Sequence, residues 1–168
     1  MNQKKGTNLK IKKAKIKDVP LILSLIKELA EFEKLTHEVV ASERDLSNNL
    51  FGPKKFAEVL LAYYDNRPAG MALFFHNYST FEGKPGIYLE DLYVKPEFRG
   101  KGIGKSLLLK LIMIAGKRKC GRVEWAVLDW NQSAIDFYTK LGAKSMDSWK
   151  IFRLTKDKIK KINNPQIV

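Results

Sequence analysis

The chain has 168 residues, 45% of them hydrophobic and 29% charged, with 31 Lys and Arg against 18 Asp and Glu for a net charge of +13. That length holds one domain with a substantial core, no apolar run is long enough to span a bilayer, and the N-terminus lacks the apolar stretch of a signal peptide. The single Cys120 excludes an internal disulfide and suits a reducing cytoplasm, while His37 and His76 stand alone without metal-ligand spacing, so no metal is expected.

The positive excess is uneven. Lys4, Lys5, Lys10, Lys12, Lys13, Lys15 and Lys17 all precede the first acidic residue, Asp18, and four lysines crowd residues 156–161. Terminal lysine runs are usually solvated, and their field would also attract a phosphate-rich cofactor. A basic chain raises nucleic acid as a partner. Aromatic residues are not interleaved with the basic runs, however, and no recognition motif is visible, so nucleic acid is not the expected partner.

In chain order, residues 1–8 read as a disordered basic tail, 9–162 as one domain and 163–168 as a C-terminal tail. Leu9 to Ala14 predicts a first strand. Asp18 as N-cap and Pro20 in the first turn open a helix to Lys34, with Leu21, Leu25, Ile26, Leu29 and Phe32 as its apolar stripe. Ser42-Glu-Arg-Asp45 is a capping-box start for a shorter helix, closed by Gly52-Pro53. Phe56–Tyr64 and Ala69–Tyr78 predict two strands around the turn Asp65-Asn-Arg-Pro68, and a turn at 82–86 leads to a strand over 86–94. A helix follows from Gly102, then a strand over Arg122–Leu128, a helix over Asn131–Leu141 ending at Gly142, a strand over Trp149–Leu154 and a lysine-rich helix. This order implies an α/β (α+β) domain, a mixed sheet with helices on both faces.

The most informative stretch is Tyr88-Leu-Glu-Asp-Leu-Tyr-Val-Lys-Pro-Glu-Phe-Arg-Gly-Lys-Gly-Ile-Gly-Lys105. It reads as a strand, a loop and a helix start. Gly100, Gly102 and Gly104 let the backbone approach a ligand, and a helix N-terminus presents unpaired N–H donors, so Arg99 to Lys105 form an anion site. The spacing matches neither the phosphate loop of nucleotide hydrolases nor the dinucleotide G-x-G-x-x-G fingerprint.

A second stretch, Asp129-Trp-Asn-Gln-Ser-Ala-Ile-Asp-Phe-Tyr-Thr-Lys-Leu-Gly-Ala143, follows. Together the R-x-x-G-x-G loop and this Asn…Ser-Ala…Phe-Tyr…Gly pattern resemble the GNAT superfamily of acetyl-CoA-dependent N-acetyltransferases. Leu25–Glu33, Tyr88–Val94, Arg99–Gly104 and Trp130–Tyr138 further resemble its diamine (spermidine/spermine) branch, with the thialysine-acetylating relatives, over roughly residues 9–160. The resemblance implies a single GNAT-like domain whose mixed, mostly antiparallel sheet splays at the acetyl-CoA site. It implies that Leu92, Tyr93 and Val94 line the pantetheine arm. Arg99, Gly100, Lys101, Gly102, Ile103, Gly104 and Lys105 would hold the pyrophosphate, and Asn131, Ser133 and Ala134 make a second cofactor contact. Glu33 and Glu90 would face the amine, with Phe32 where relatives carry tyrosine and Asp147 as a stand-in for an acidic pair. Tyr138 would point at the coenzyme A sulfur. Relatives of this branch are dimers, so a cytoplasmic homodimer is implied.

An amine with a pKa of about 10.4 is protonated at neutral pH, and removing that proton costs about 4–5 kcal/mol. Glu90 can attract the ammonium and take its proton through water; its other reading is a strand-end acid that only holds geometry. A backbone N–H near Tyr93 or Val94 can stabilise the oxyanion, and the Tyr138 hydroxyl can protonate the leaving thiolate. The expected reaction is direct acetyl transfer to a primary amine of a small diamine or polyamine-like substrate. Alternatives are another amine (an aminoglycoside, an amino acid, a protein lysine or N-terminus), a nucleic-acid-binding protein, or a cofactor-binding module without catalysis.

Overall fold

A computed structural model describes residues 9–163; the predicted tail at 1–8 and nearly all of that at 163–168 lie outside the described residues. The described residues form two compact units, the first ending at Ala126 and the second beginning at Val127.

The first unit is built on a five-stranded sheet in the order β1-β2-β3-β4-β5. The strands are β1 (Leu9–Lys13), β2 (Glu58–Tyr64), β3 (Arg67–Ser79), β4 (Lys84–Val94) and β5 (Arg122–Trp125). The first four pair antiparallel and β5 joins β4 in parallel. The β2–β3 hairpin turns on Asp65 and Asn66, at φ 49° and 62°. Two successive left-handed residues match the twist of the flanking strands, and Asp and Asn tolerate that region better than other side chains.

Helix α1 (Val19–Phe32) packs on one face through Ile22 and Leu25 against Val59, Leu61, Met71 and Tyr93. The predicted stripe is thus shifted: Leu21, Ile26 and Leu29 flank it half-buried, and Ile22 and Leu25 form its centre. Asp18 does not cap α1; its carboxylate accepts from the Lys15 N–H (2.8 Å) and closes the turn before it. The helix ends two residues early. Lys34 takes the left-handed region (φ 61°) and the Leu35 N–H bonds back to the Ala30 carbonyl, leaving Glu33 at the helix mouth. Helix α2 (Glu43–Leu46) opens with the expected box: the Asp45 N–H donates to Ser42 Oγ (3.2 Å) and the Ser42 N–H to Asp45 (2.9 Å).

Side chains alternate across a sheet, so Leu60, Ala62 and Phe74 face the opposite side from Val59, Leu61 and Met71. Helix α3 (Ile103–Lys117) covers that side through Ile103, Leu107, Leu108 and Leu111, and Arg118 at its end lies 5.9 Å from the Phe74 ring.

The second unit contains α4 (Gln132–Lys140) and α5 (Lys156–Ile162). Asn131 caps α4, its Oδ1 accepting from the Ala134 N–H (3.3 Å), and Gly142 ends it at φ 88°. One element is corrected: Trp149–Leu154 is not a strand. It pairs with no ladder among the described residues, and its side chains stay in solvent, Phe152 at 91% exposure. Alternating apolar residues predict a strand only where a neighbouring edge completes its hydrogen bonds. The fifth strand is shortened for the same reason, since β5 leaves β4 after Trp125.

Candidate active site

Two irregularities in β4 create the site. First, Leu73 sits opposite Asp91 and Phe74 opposite Leu89, so Glu90 is an extra residue in the ladder, a β-bulge. The bulge interrupts the alternation, leaving Glu90 exposed and Asp91 half-buried on the face that carries Tyr93 and α1. Second, the parallel pairing with β5 runs from Gly86↔Arg122 to Leu89↔Trp125 and stops. Beyond it β4 continues to Val94 with no β5 partner, so the edge from Glu90 to Val94 is open on that side among the described residues. The sheet splays here, as expected.

Beyond the open edge lies the glycine loop. Pro96–Phe98 makes one turn, with Phe98 buried beneath it. Gly100 and Gly102 follow at φ 74° and 75°, a region where any other side chain would be strained. The first bond within α3 runs from the Ser106 N–H to the Gly102 carbonyl (3.0 Å). The N–H groups of Ile103, Gly104 and Lys105 in that first turn are therefore available to an anion. Lys101 is anchored over the Tyr64 and Phe98 rings (5.0 and 5.1 Å). Arg99 donates from Nε to the Val94 carbonyl (3.0 Å) and lies over the Phe32 ring at 4.5 Å.

On the α1 face, Asp91 lies within the electrostatic reach of Glu90 and Glu33. Burial and the neighbouring charges of Glu90 and Glu33 push Asp91 up from 3.8 to about 6. Burial also raises Glu33 above its ordinary range. Beside them Glu28 accepts from Lys95 Nζ (2.9 Å) and the Tyr93 hydroxyl (3.5 Å), so its charge is matched. The structure thus brings Phe32, Glu33, Glu90 and the open edge at Leu92, Tyr93 and Val94 together with the loop. It adds Asp91, which the sequence reading passed over although Glu90-Asp91 was visible as an acidic pair; only the bulge and the burial distinguish the two.

In the second unit, Asn131 and Ser133 share a hydrogen bond (3.2 Å) at the start of α4, with Ala134 in the same turn. Tyr138 lies half-buried on that helix, and burial pushes its phenol above its ordinary value. Such a phenol carries its proton at neutral pH. Asp147 sits in an exposed turn, accepting from Ser145 Oγ (3.1 Å).

Residues 23–143 match the acetyltransferase (GNAT) family. The chain belongs to that family. This GNAT chain is 42% identical over 154 residues to a thialysine N-epsilon-acetyltransferase of Bos taurus, covering 85% of this chain and 90% of the relative. It is 33% identical over 195 residues to an L-ornithine N5-acetyltransferase of Arabidopsis thaliana, covering 89% and 86%. Among solved structures it resembles an integron cassette protein from the mobile metagenome of V. cholerae, with a TM-score of 0.79 at 25% identity over 95% of this chain and 99% of the other. GNAT enzymes use acetyl-CoA, so the chain is an acetyl-CoA-dependent N-acetyltransferase rather than a non-enzymatic binding protein. The N–H donors in the first turn of α3 and the basic loop suit a diphosphate. Among the described residues, no group of three or more His, Cys, Asp and Glu side chains could hold a metal ion, and no helix is long and apolar enough to cross a membrane.

Proposed function

We propose that the chain transfers the acetyl group of acetyl-CoA directly to a primary amine of a small diamine or polyamine-like substrate, a class that includes diamino acids such as thialysine and ornithine. One observation carries this reading: Asp91, beside the open edge of β4, is raised to about 6 by burial and by the charges of Glu90 and Glu33. Three carboxylates attract an ammonium group, and a pair that shares charge holds a proton acceptor poised nearer to neutral pH. Asp91, raised by burial and by the charges of Glu90 and Glu33, serves with Glu90 as the base. The amine loses its proton to this pair, directly or through a water at Glu90. Its nitrogen then attacks the thioester carbonyl, whose developing oxyanion takes an N–H from the open edge near Tyr93 or Val94. The C–S bond breaks, the thiolate takes the proton of the Tyr138 hydroxyl, and the second proton leaving the nitrogen returns through water to the Tyr138 phenolate, which restores both the amide and the acid. Leu92 to Val94 line the pantetheine arm, Arg99 to Lys105 hold the diphosphate, and Asn131, Ser133 and Ala134 make a second contact. Asp147 stands by for a distal amine.

The enzyme works as a cytoplasmic homodimer in this reading. Trp149, Ile151, Phe152 and Leu154 are 71%, 77%, 91% and 63% exposed, an apolar segment that a second copy would cover.

The test is thiol release from acetyl-CoA across spermidine, spermine, putrescine, thialysine, ornithine, lysine, an aminoglycoside and a basic peptide. Preference for one small diamine or diamino acid supports the reading; acetylation of the peptide or the aminoglycoside alone sinks it. Tyr138→Phe should lower turnover by about 10²–10⁴-fold with coenzyme A binding retained. Unchanged turnover would remove Tyr138 as the acid.

A further inference from the structure

The guanidinium of Arg99 is held in an unusual way for a group on an exposed loop. Nε donates to the Val94 carbonyl at 3.0 Å. Its Cζ lies over the Phe32 ring, 4.5 Å from the centroid, and 5.9 Å from that of Tyr93. Among the described residues no carboxylate forms an ion pair with it, although Glu28, Glu33, Glu90 and Glu97 all lie on neighbouring segments. Arg99 is therefore held by the Val94 carbonyl and the Phe32 ring, and its two terminal nitrogens keep their donors for a ligand. Phe32 ends α1 and leaves 38% of its surface exposed.

We propose that Phe32 is a positioning residue for the diphosphate subsite. Its ring holds Arg99 in the orientation that meets the anion. Free arginine side chains lose much rotamer freedom on binding, and stacking removes part of that loss beforehand. The consequence is that a residue next to the amine-facing Glu33 sets affinity for the other substrate. This rests on the reading of Arg99 to Lys105 as the diphosphate loop.

The experiment compares the full chain with Phe32→Leu, Phe32→Trp, Arg99→Gln and the double variant Phe32→Leu/Arg99→Gln. Coenzyme A affinity is measured by titration calorimetry, and kcat/KM with acetyl-CoA and with S-acetylpantetheine, which lacks the diphosphate. An exposed cation–π contact predicts that Phe32→Leu weakens coenzyme A binding and kcat/KM for acetyl-CoA by about two- to fivefold. The same variant should lower kcat/KM for S-acetylpantetheine by clearly less than for acetyl-CoA, Phe32→Trp should restore the wild-type preference between the two donors, and Phe32→Leu should add nothing to the loss of coenzyme A affinity in Arg99→Gln. An equal loss with S-acetylpantetheine, a loss that persists in the Arg99→Gln background, or a change confined to the KM of the amine would each overturn the proposal. If Arg99→Gln matches the wild type and the wild type does not prefer acetyl-CoA to S-acetylpantetheine, the diphosphate reading itself fails, and the inference with it.

Discussion

Two groups of carboxylates in the first unit are built from the same chemistry and shifted in opposite directions. Glu58 accepts from Lys13 Nζ (2.6 Å) and from both terminal nitrogens of Arg118 (2.6 and 3.0 Å). The Arg118 bonds dominate and hold it near 2, below its ordinary 4.5. The Glu33–Glu90–Asp91 group has no cation among its principal influences; burial and mutual repulsion lift Asp91 to about 6. Arg118 also donates to His76 Nε2 (3.0 Å), whose Nδ1 lies 2.9 Å from the Gly86 carbonyl, so the Glu58 group ties β2, β3, β4 and the end of α3 together. A matched group stabilises the fold, whereas an unmatched one costs stability and waits for a charge from outside. A cationic substrate is that charge.

Asp91→Asn should break this contrast most strongly. A folded-state value above the unfolded one means that the native state binds more protons between about pH 4 and 6, so stability falls as pH rises through that window. Above it, the wild type carries a penalty of at most about 3 kcal/mol, which Asn removes. Denaturant melts at pH 7 should therefore show a more stable variant, with the gain absent below about pH 4. The same variant should lose about 10²-fold or more in kcat/KM at pH 7, together with the acid limb near pH 6. A variant that is destabilised at pH 7 would mean that Asp91 is matched by a cation after all.

Glu90→Gln sharpens the comparison within the acidic group. Removing one negative neighbour should lower the Asp91 value, so the acid limb of kcat/KM should move to lower pH by a fraction of a unit to one unit. An unmoved limb would show that the Glu90 charge does not act on Asp91.

Glu58→Gln should act in the other direction, costing about 1–2 kcal/mol at pH 7, discounted for its partial exposure. Its depressed value places that stability above about pH 4.5 and removes it as pH falls toward 2, so the gap to wild type should narrow in acid. The smallest effect belongs to Lys13→Met. The Lys13 side chain is 66% exposed, and its ion pair should be worth less than about 0.5 kcal/mol in urea melts.

Local chemistry was readable wherever a few adjacent residues carry the whole cause. The Asp65-Asn66 turn, the Ser42–Asp45 box, the Asn131 cap, Gly142 at the end of α4 and the glycine loop before α3 each depend on residues within one or two turns. The face of α1 was less readable, because Leu21 and Ile22 are equally apolar and only the sheet decides which is central. The strand at Trp149–Leu154 failed because a strand needs a partner edge, which composition does not reveal.

The sequence by itself determined the family, the order of strands and helices apart from the strand expected at Trp149–Leu154, and the loop whose N–H groups await an anion, since those rest on residue type and short spacing. Only the tertiary structure decided which acid in Glu90-Asp91 is buried, where β5 parts from β4, and that Arg99 rests on Phe32 sixty-seven positions earlier. Each of these depends on pairing or packing between distant segments. A bulge opposite Leu73 and a ring at the end of α1 set the dielectric and the charge around side chains that look alike in one dimension.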